Sequence, residues 1–118
     1  MMPFERLEAW RLCHELVLAV YRLTGLLPTD ERYGLVAQSR RAALSAACNI
    51  AEGSAKRGSR EFRRYLDISI GSLAELAYLL RVIRDLGLIG PAEMGPVSDL
   101  HTDASRTTWC LYRAMGRR

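Results

Sequence analysis

Lysine is almost missing from this chain of 118 residues, in which sixteen arginines stand against one lysine, Lys56. Arginine's planar fork suits phosphate recognition, but a GC-rich genome gives the same skew, so the ratio alone assigns nothing. Cysteine is scarce as well. Cys13, Cys48 and Cys110 are far apart, odd in number and free of any Cys-x-x-Cys pair. That argues against a disulfide framework or a structural zinc site. Each sits among apolar positions, where a free thiol acts as a small hydrophobe.

Long apolar runs are absent too. Stretches such as Leu16 to Tyr21 fall far short of the ~20 residues a membrane span requires. Glu5, Glu8 and Glu15 occupy the region where a secretory signal has a basic start and an apolar middle. A cytoplasmic protein without membrane association is expected. Strict alternation of period two is lacking, so no strand is expected. The two histidines, His14 and His101, lie in no Glu-x-x-His or other ligand spacing. No Gly-x-Ser-x-Gly and no phosphate-cradling glycine loop occurs. Glu52 and Glu75 do not make a convincing catalytic pair. The expectation is therefore a protein that is not an enzyme, with no catalytic residue, no metal and no cofactor.

What is present is a hydrophobic fraction of 49%, enough to exclude disorder. A chain of this length buries roughly 65% of its unfolded surface in one domain. Residues recur at steps of three and four along four stretches, at about 4–24, 30–54, 60–86 and 96–115. The first has a polar row of Glu8, Arg11, Glu15 and Arg22, and an apolar stripe wider than one seam needs. Gly25 and Pro28 close it. The third carries an inward stripe of Phe62, Tyr65, Leu66, Ser69, Leu73, Leu76, Leu80 and Ile83, with Ser59 expected as its N-cap. In the fourth, the spacing runs through Val97, Leu100, Ala104, Thr107, Leu111 and Met115. Gly95 and Pro96 leave open whether it starts at Pro91 or Pro96, and Arg117 and Arg118 are expected at a frayed end. Short connections favour an all-α, antiparallel up-down-up-down four-helix bundle.

Net charge is concentrated. Residues 1–37 carry −1, residues 38–84 carry +5 and residues 85–118 carry zero. Within the middle segment, Gln38, Arg41, Ser45, Asn49 and Glu52 share one face of an alanine-rich second helix. They meet Ser69, Ser72 and Glu75 on the third. An internal polar network of Arg41, Ser45, Asn49, Glu52, Ser72 and Glu75 is expected, with Arg41 and Glu75 as a partly buried ion pair. Gly71 and Ser72 cost helix propensity, which close helix approach would explain.

After Gly53 comes a dense basic turn, with Lys56, Arg57, Arg60, Arg63 and Arg64 opposed only by Glu61. A charged loop end is often a solvated cap. The one-signed charge and the helix N-terminal amides instead favour an anionic partner. Lys56, Arg57, Arg60, Arg63 and Arg64, with Arg40 if it faces outward, are the candidate nucleic-acid-binding residues. RNA and DNA are equally open. No aromatic platform is evident beside them, so weak sequence specificity is expected.

The motifs Phe4-Glu-x-Leu-x-x-Trp10, Val20-Tyr-x-Leu-Thr24, Pro28-x-x-Glu-x-Tyr-Gly-Leu35, Gln38-x-Arg-Arg-Ala-Ala43, Asn49-Ile-Ala-Glu-Gly53 and Gly71-Ser-x-x-Glu-Leu76 occur in order. Together they resemble the four-helix-bundle proteins encoded in intervening sequences of bacterial 23S ribosomal RNA genes. They are similar also to the accessory variability protein of diversity-generating retroelements. The resemblance covers essentially the whole chain and is weakest in the last helix. It implies a homo-oligomer, with a ring-shaped pentamer favoured. From the retroelement relative it implies nucleic-acid binding and a reverse transcriptase as protein partner. Ala46, Ala47 and Cys48 depart from the family's bulkier residue and proline-serine pair. The alternative is an oligomeric protein-interaction scaffold or accessory subunit that does not touch nucleic acid.

Overall fold

In a computed structural model describing residues 1–116, the chain forms four α-helices: α1 (Glu8–Thr24), α2 (Ala37–Ser54), α3 (Ser59–Asp85) and α4 (Pro91–Met115). No strand occurs among the described residues. Arg117 and Arg118 lie outside the described residues. Each helix packs on two neighbours: α1 on α2 and α4, and α3 on α2 and α4. The core between them holds Leu16, Val20, Ile50, Leu66, Leu76 and Ile83, all essentially inaccessible to water. No helix of the described chain is long and apolar enough to cross a membrane.

The seam between α2 and α3 is the most extensive contact, and small side chains make it so. Ala42, Ala43, Ala46 and Ala47 are buried along α2, letting the two backbones approach. Ser69 Oγ, fully buried, donates to the Ala46 carbonyl at 2.8 Å. Ser45 and Ser72 hydroxyls meet at 2.8 Å, and Asn49 Nδ2 donates to the Ser45 carbonyl at 2.8 Å. At the end of α2, a Cβ on Gly53 would lie 2.8 Å from Phe62 and from Tyr65. Only glycine fits there.

Of the expected inward stripe of α3, Leu66, Ser69, Leu73, Leu76, Leu80 and Ile83 are buried, whereas Phe62 and Tyr65 are only half-buried. Several other expectations are corrected. The second helix was expected from about residue 30. Instead a 3-10 turn at Thr29–Glu31 leads into a π-helical turn at Arg32–Val36, and α2 begins at Ala37. The Glu31 carboxylate caps this looser winding, accepting from the Leu35 amide at 3.4 Å. The fourth helix begins at Pro91, not Pro96. Pro91 stands in the first turn, where its missing N–H is unneeded. Pro96 lies inside the helix and removes a single intrahelical bond near the start.

Gly58, with φ of 84°, takes the N-cap position of α3, and Ser59 is the first helical residue. Gly71 is exposed with open space around it, so close approach does not explain it; that role belongs to Ser72. In α4 the inward position is Thr108 rather than Thr107, because Thr108 meets Cys13 Sγ at 3.6 Å. Burial pushes the Cys13 thiol up to about 11, while its contact with Thr108 pulls the other way. Cys13 is the small hydrophobe expected, but Cys48 and Cys110 are exposed.

Candidate nucleic-acid interface

The polar network divides into a bonded centre and solvated ends. Ser45, Asn49 and Ser72 are half-buried and joined by hydrogen bonds. Arg41, Glu52 and Glu75 are exposed. The expected Arg41–Glu75 ion pair is absent among the described residues, whose ion pairs all involve other side chains. The reason lies in the seam itself. Direct contact of the two serines fills the space between the backbones, and both charges stay hydrated at its margin, where pairing contributes little.

Arg40 also departs from expectation. Its Nε donates to Thr24 Oγ1 at 2.9 Å, its Nη2 donates to the Tyr21 carbonyl at 3.2 Å, and its guanidinium lies 4.5 Å from the centre of the Tyr21 ring. It therefore donates to one hydroxyl and one carbonyl at the C-terminal end of α1, where a cation also complements the helix dipole. Arg40 stands at the far end of α2 from the basic turn, about 20 Å away at 1.5 Å per residue. It does not join the cluster.

The remaining five cations do gather around the α2–α3 connection. Lys56 and Arg57 are exposed in the turn, and Arg60, Arg63 and Arg64 are exposed on the first turns of α3. The three arginines of α3 line one groove of 490 Å³, closed on its other side by Tyr112, Met115 and Gly116 at the end of α4. Glu61 and Asp67 contribute two carboxylates to its wall. Of the five cations only Arg64 is ion-paired among the described residues, to Glu61 at 3.4 Å. That hydrogen bond holds Arg64 even more firmly protonated than usual. Both partners are well exposed, so water and salt weaken the pair readily.

Aromatic rings accompany these cations, contrary to the sequence reading. Lys56 Nζ lies 5.4 Å and the Arg64 guanidinium 5.0 Å from the centre of the Tyr65 ring. The Arg63 guanidinium lies 4.1 Å from the centre of Tyr112, and Tyr112 stacks on Trp109 with centroids 5.4 Å apart. Helical spacing alone marks Tyr65 only as a core residue of α3. Tyr112 carried no local signal, because it reaches the groove from the opposite end of the chain. Cation–π contact fixes both side chains in place without neutralising the charge.

The histidines are engaged elsewhere. His14 stacks on Trp10 with centroids 5.0 Å apart. His101 Nε2 lies 2.7 Å from the Leu73 carbonyl and donates to it, since a carbonyl only accepts. Among the described residues, no group of three or more His, Cys, Asp or Glu side chains is arranged to hold a metal ion.

Compared with known proteins, residues 5–108 match a family model described as 23S rRNA-intervening sequence protein. No curated protein matches the chain.

Proposed function

The chain belongs to the 23S rRNA-intervening sequence protein family, and within it we propose a non-enzymatic helical bundle that binds RNA or DNA through phosphate contacts. In this reading the helices run antiparallel, up-down-up-down. The partners met across the α2–α3 seam support it: Gly53 lies by Phe62, Ala46 by Ser69 and Ser45 by Ser72. The observation that carries the function is the convergence of Arg60, Arg63 and Arg64 on one groove. Lys56 is tied to the same group through Tyr65. Phosphate neutralisation by these side chains supplies affinity without reading the bases.

Fluorescence anisotropy with single-stranded and duplex oligonucleotides at several salt concentrations tests this. Five neutralised phosphates give a slope of log affinity on log salt of about −3.5 on single strands and about −4.5 on duplex. Replacing Arg60, Arg63 and Arg64 together by Ala is expected to leave a slope of about −1.5 to −2. Unchanged affinity and slope in that variant refute the proposal.

The second reading is a protein-interaction scaffold whose basic turn only aids solubility. It is favoured by the apolar groove of Leu23, Leu26, Pro96, Val97 and Leu100 between α1 and α4. Wild-type protein that binds neither kind of strand at low salt would support it.

A further inference from the structure

The proposal that the basic groove binds nucleic acid leaves open which form of it fits, and the side chains there are more selective than a plain positive surface. Arg63 is exposed, yet its guanidinium is held 4.1 Å from the Tyr112 ring centre, and Tyr112 in turn stacks on Trp109. Gly116 leaves room for it: a Cβ at that position would lie 3.1 Å from Cζ, Nε and Nη2 of Arg63. The guanidinium thus lies against one of two stacked rings carried by α4. Arg60 and Arg64 line the same groove, and Arg60 has no carboxylate partner among the described residues.

A flat cation braced from behind is a stacking surface for a nucleobase. Bases inside a duplex already stack on one another and offer no free face, whereas an unpaired base does. We propose that this groove receives an unpaired nucleotide, its base stacked on Arg63 and its flanking phosphates held by Arg60 and Arg64. The inference rests on the nucleic-acid-binding reading and adds to it a preference for single strands. The shared ligand chemistry is an unpaired base between phosphates, which RNA and DNA both supply.

The decisive variant is Arg63→Lys, which keeps the charge and removes the planar surface. Affinity is measured by anisotropy for an unstructured RNA oligonucleotide, the DNA of the same sequence, and the duplex of each. The expected result is a loss of about tenfold on single strands and a clearly smaller loss on duplex. Tyr112→Leu, which keeps an apolar side chain but removes the brace, is expected to give the same pattern in milder form. Circular dichroism confirms that each variant is folded. Equal losses on single strands and duplexes, or no loss on either, overturn the stacking site while leaving phosphate binding intact. Wild-type protein that binds no strand at low salt overturns both proposals. RNA and DNA single strands losing affinity alike assign the site to the base and phosphate. A loss confined to one of them shows which nucleic acid the groove accepts.

Discussion

A methyl group placed on Gly53 meets the Phe62 ring and the Tyr65 Cβ of α3 at 2.8 Å, whereas one placed on Gly71 meets open space. Both glycines lie inside helices and both look alike in the sequence. Their substitution by alanine is expected to act in opposite directions. Gly53→Ala overpacks the seam and lowers stability by about 1–3 kcal/mol. Gly71→Ala stiffens the unfolded chain at an unstrained helical position and raises stability by about 0.5–1 kcal/mol. Urea denaturation followed by circular dichroism measures both, and a destabilised Gly71→Ala would mean that its surface is covered. Sequence alone assigns close helix approach to Gly71 and leaves Gly53 as a residue near the end of its helix, the reverse of what the packing shows. Steric room depends on which residues the neighbouring helix brings opposite, and that is not encoded locally.

Among the elements, α1 and α2 are tied at one end by a single arginine. Arg40 reaches the Thr24 hydroxyl and the Tyr21 carbonyl, and the Thr24 hydroxyl donates a hydrogen bond to the Val20 carbonyl at 2.7 Å. The end of α1 is capped by its own following backbone, with the Gly25 amide donating to the Tyr21 carbonyl at 3.2 Å, and a side chain from another helix adds to that cap. Arg40→Ala is expected to cost about 1–2 kcal/mol in urea denaturation, because it removes two charge-assisted hydrogen bonds that tie α2 to α1. Affinity for oligonucleotides should stay within twofold of wild type, about 0.4 kcal/mol or less. A large loss of affinity with unchanged stability would return Arg40 to the binding surface. Helical periodicity placed Arg40 beside Arg41 correctly. It did not disclose that one faces α1 and the other water, since that choice follows from how far each helix rotates on packing. The π-helical turn at Arg32–Val36 escaped the same reasoning. Its side-chain cap is the Glu31 carboxylate on the Leu35 amide, a contact that apolar spacing does not register.

For the whole molecule, apolar side chains remain at the surface after the core is filled. Leu18 is 45%, Leu26 58% and Leu44 40% exposed, all on or beside α1 and α2. Burial of such side chains is the driving force available for assembly. The proposed homo-oligomer, with a pentamer favoured by the family resemblance, would repeat the basic groove about an axis and strengthen polyanion binding by avidity. Light scattering coupled to size exclusion is expected to give a mass several times 13.3 kDa. A monomer at micromolar concentration would remove both the assembly and its avidity.

The amino-acid sequence by itself determined four amphipathic helices, an alanine-lined second helix and a cluster of cations at its end. These are local properties: helical spacing, small side chains and charge are each read within a few turns. Tertiary structure alone decided that Arg40 leaves the cluster, that Arg41 and Glu75 stay apart, and that Tyr112 arrives beneath Arg63. Those outcomes depend on the rotation and register of packed helices, which a core of many weak contacts fixes collectively and no single segment encodes.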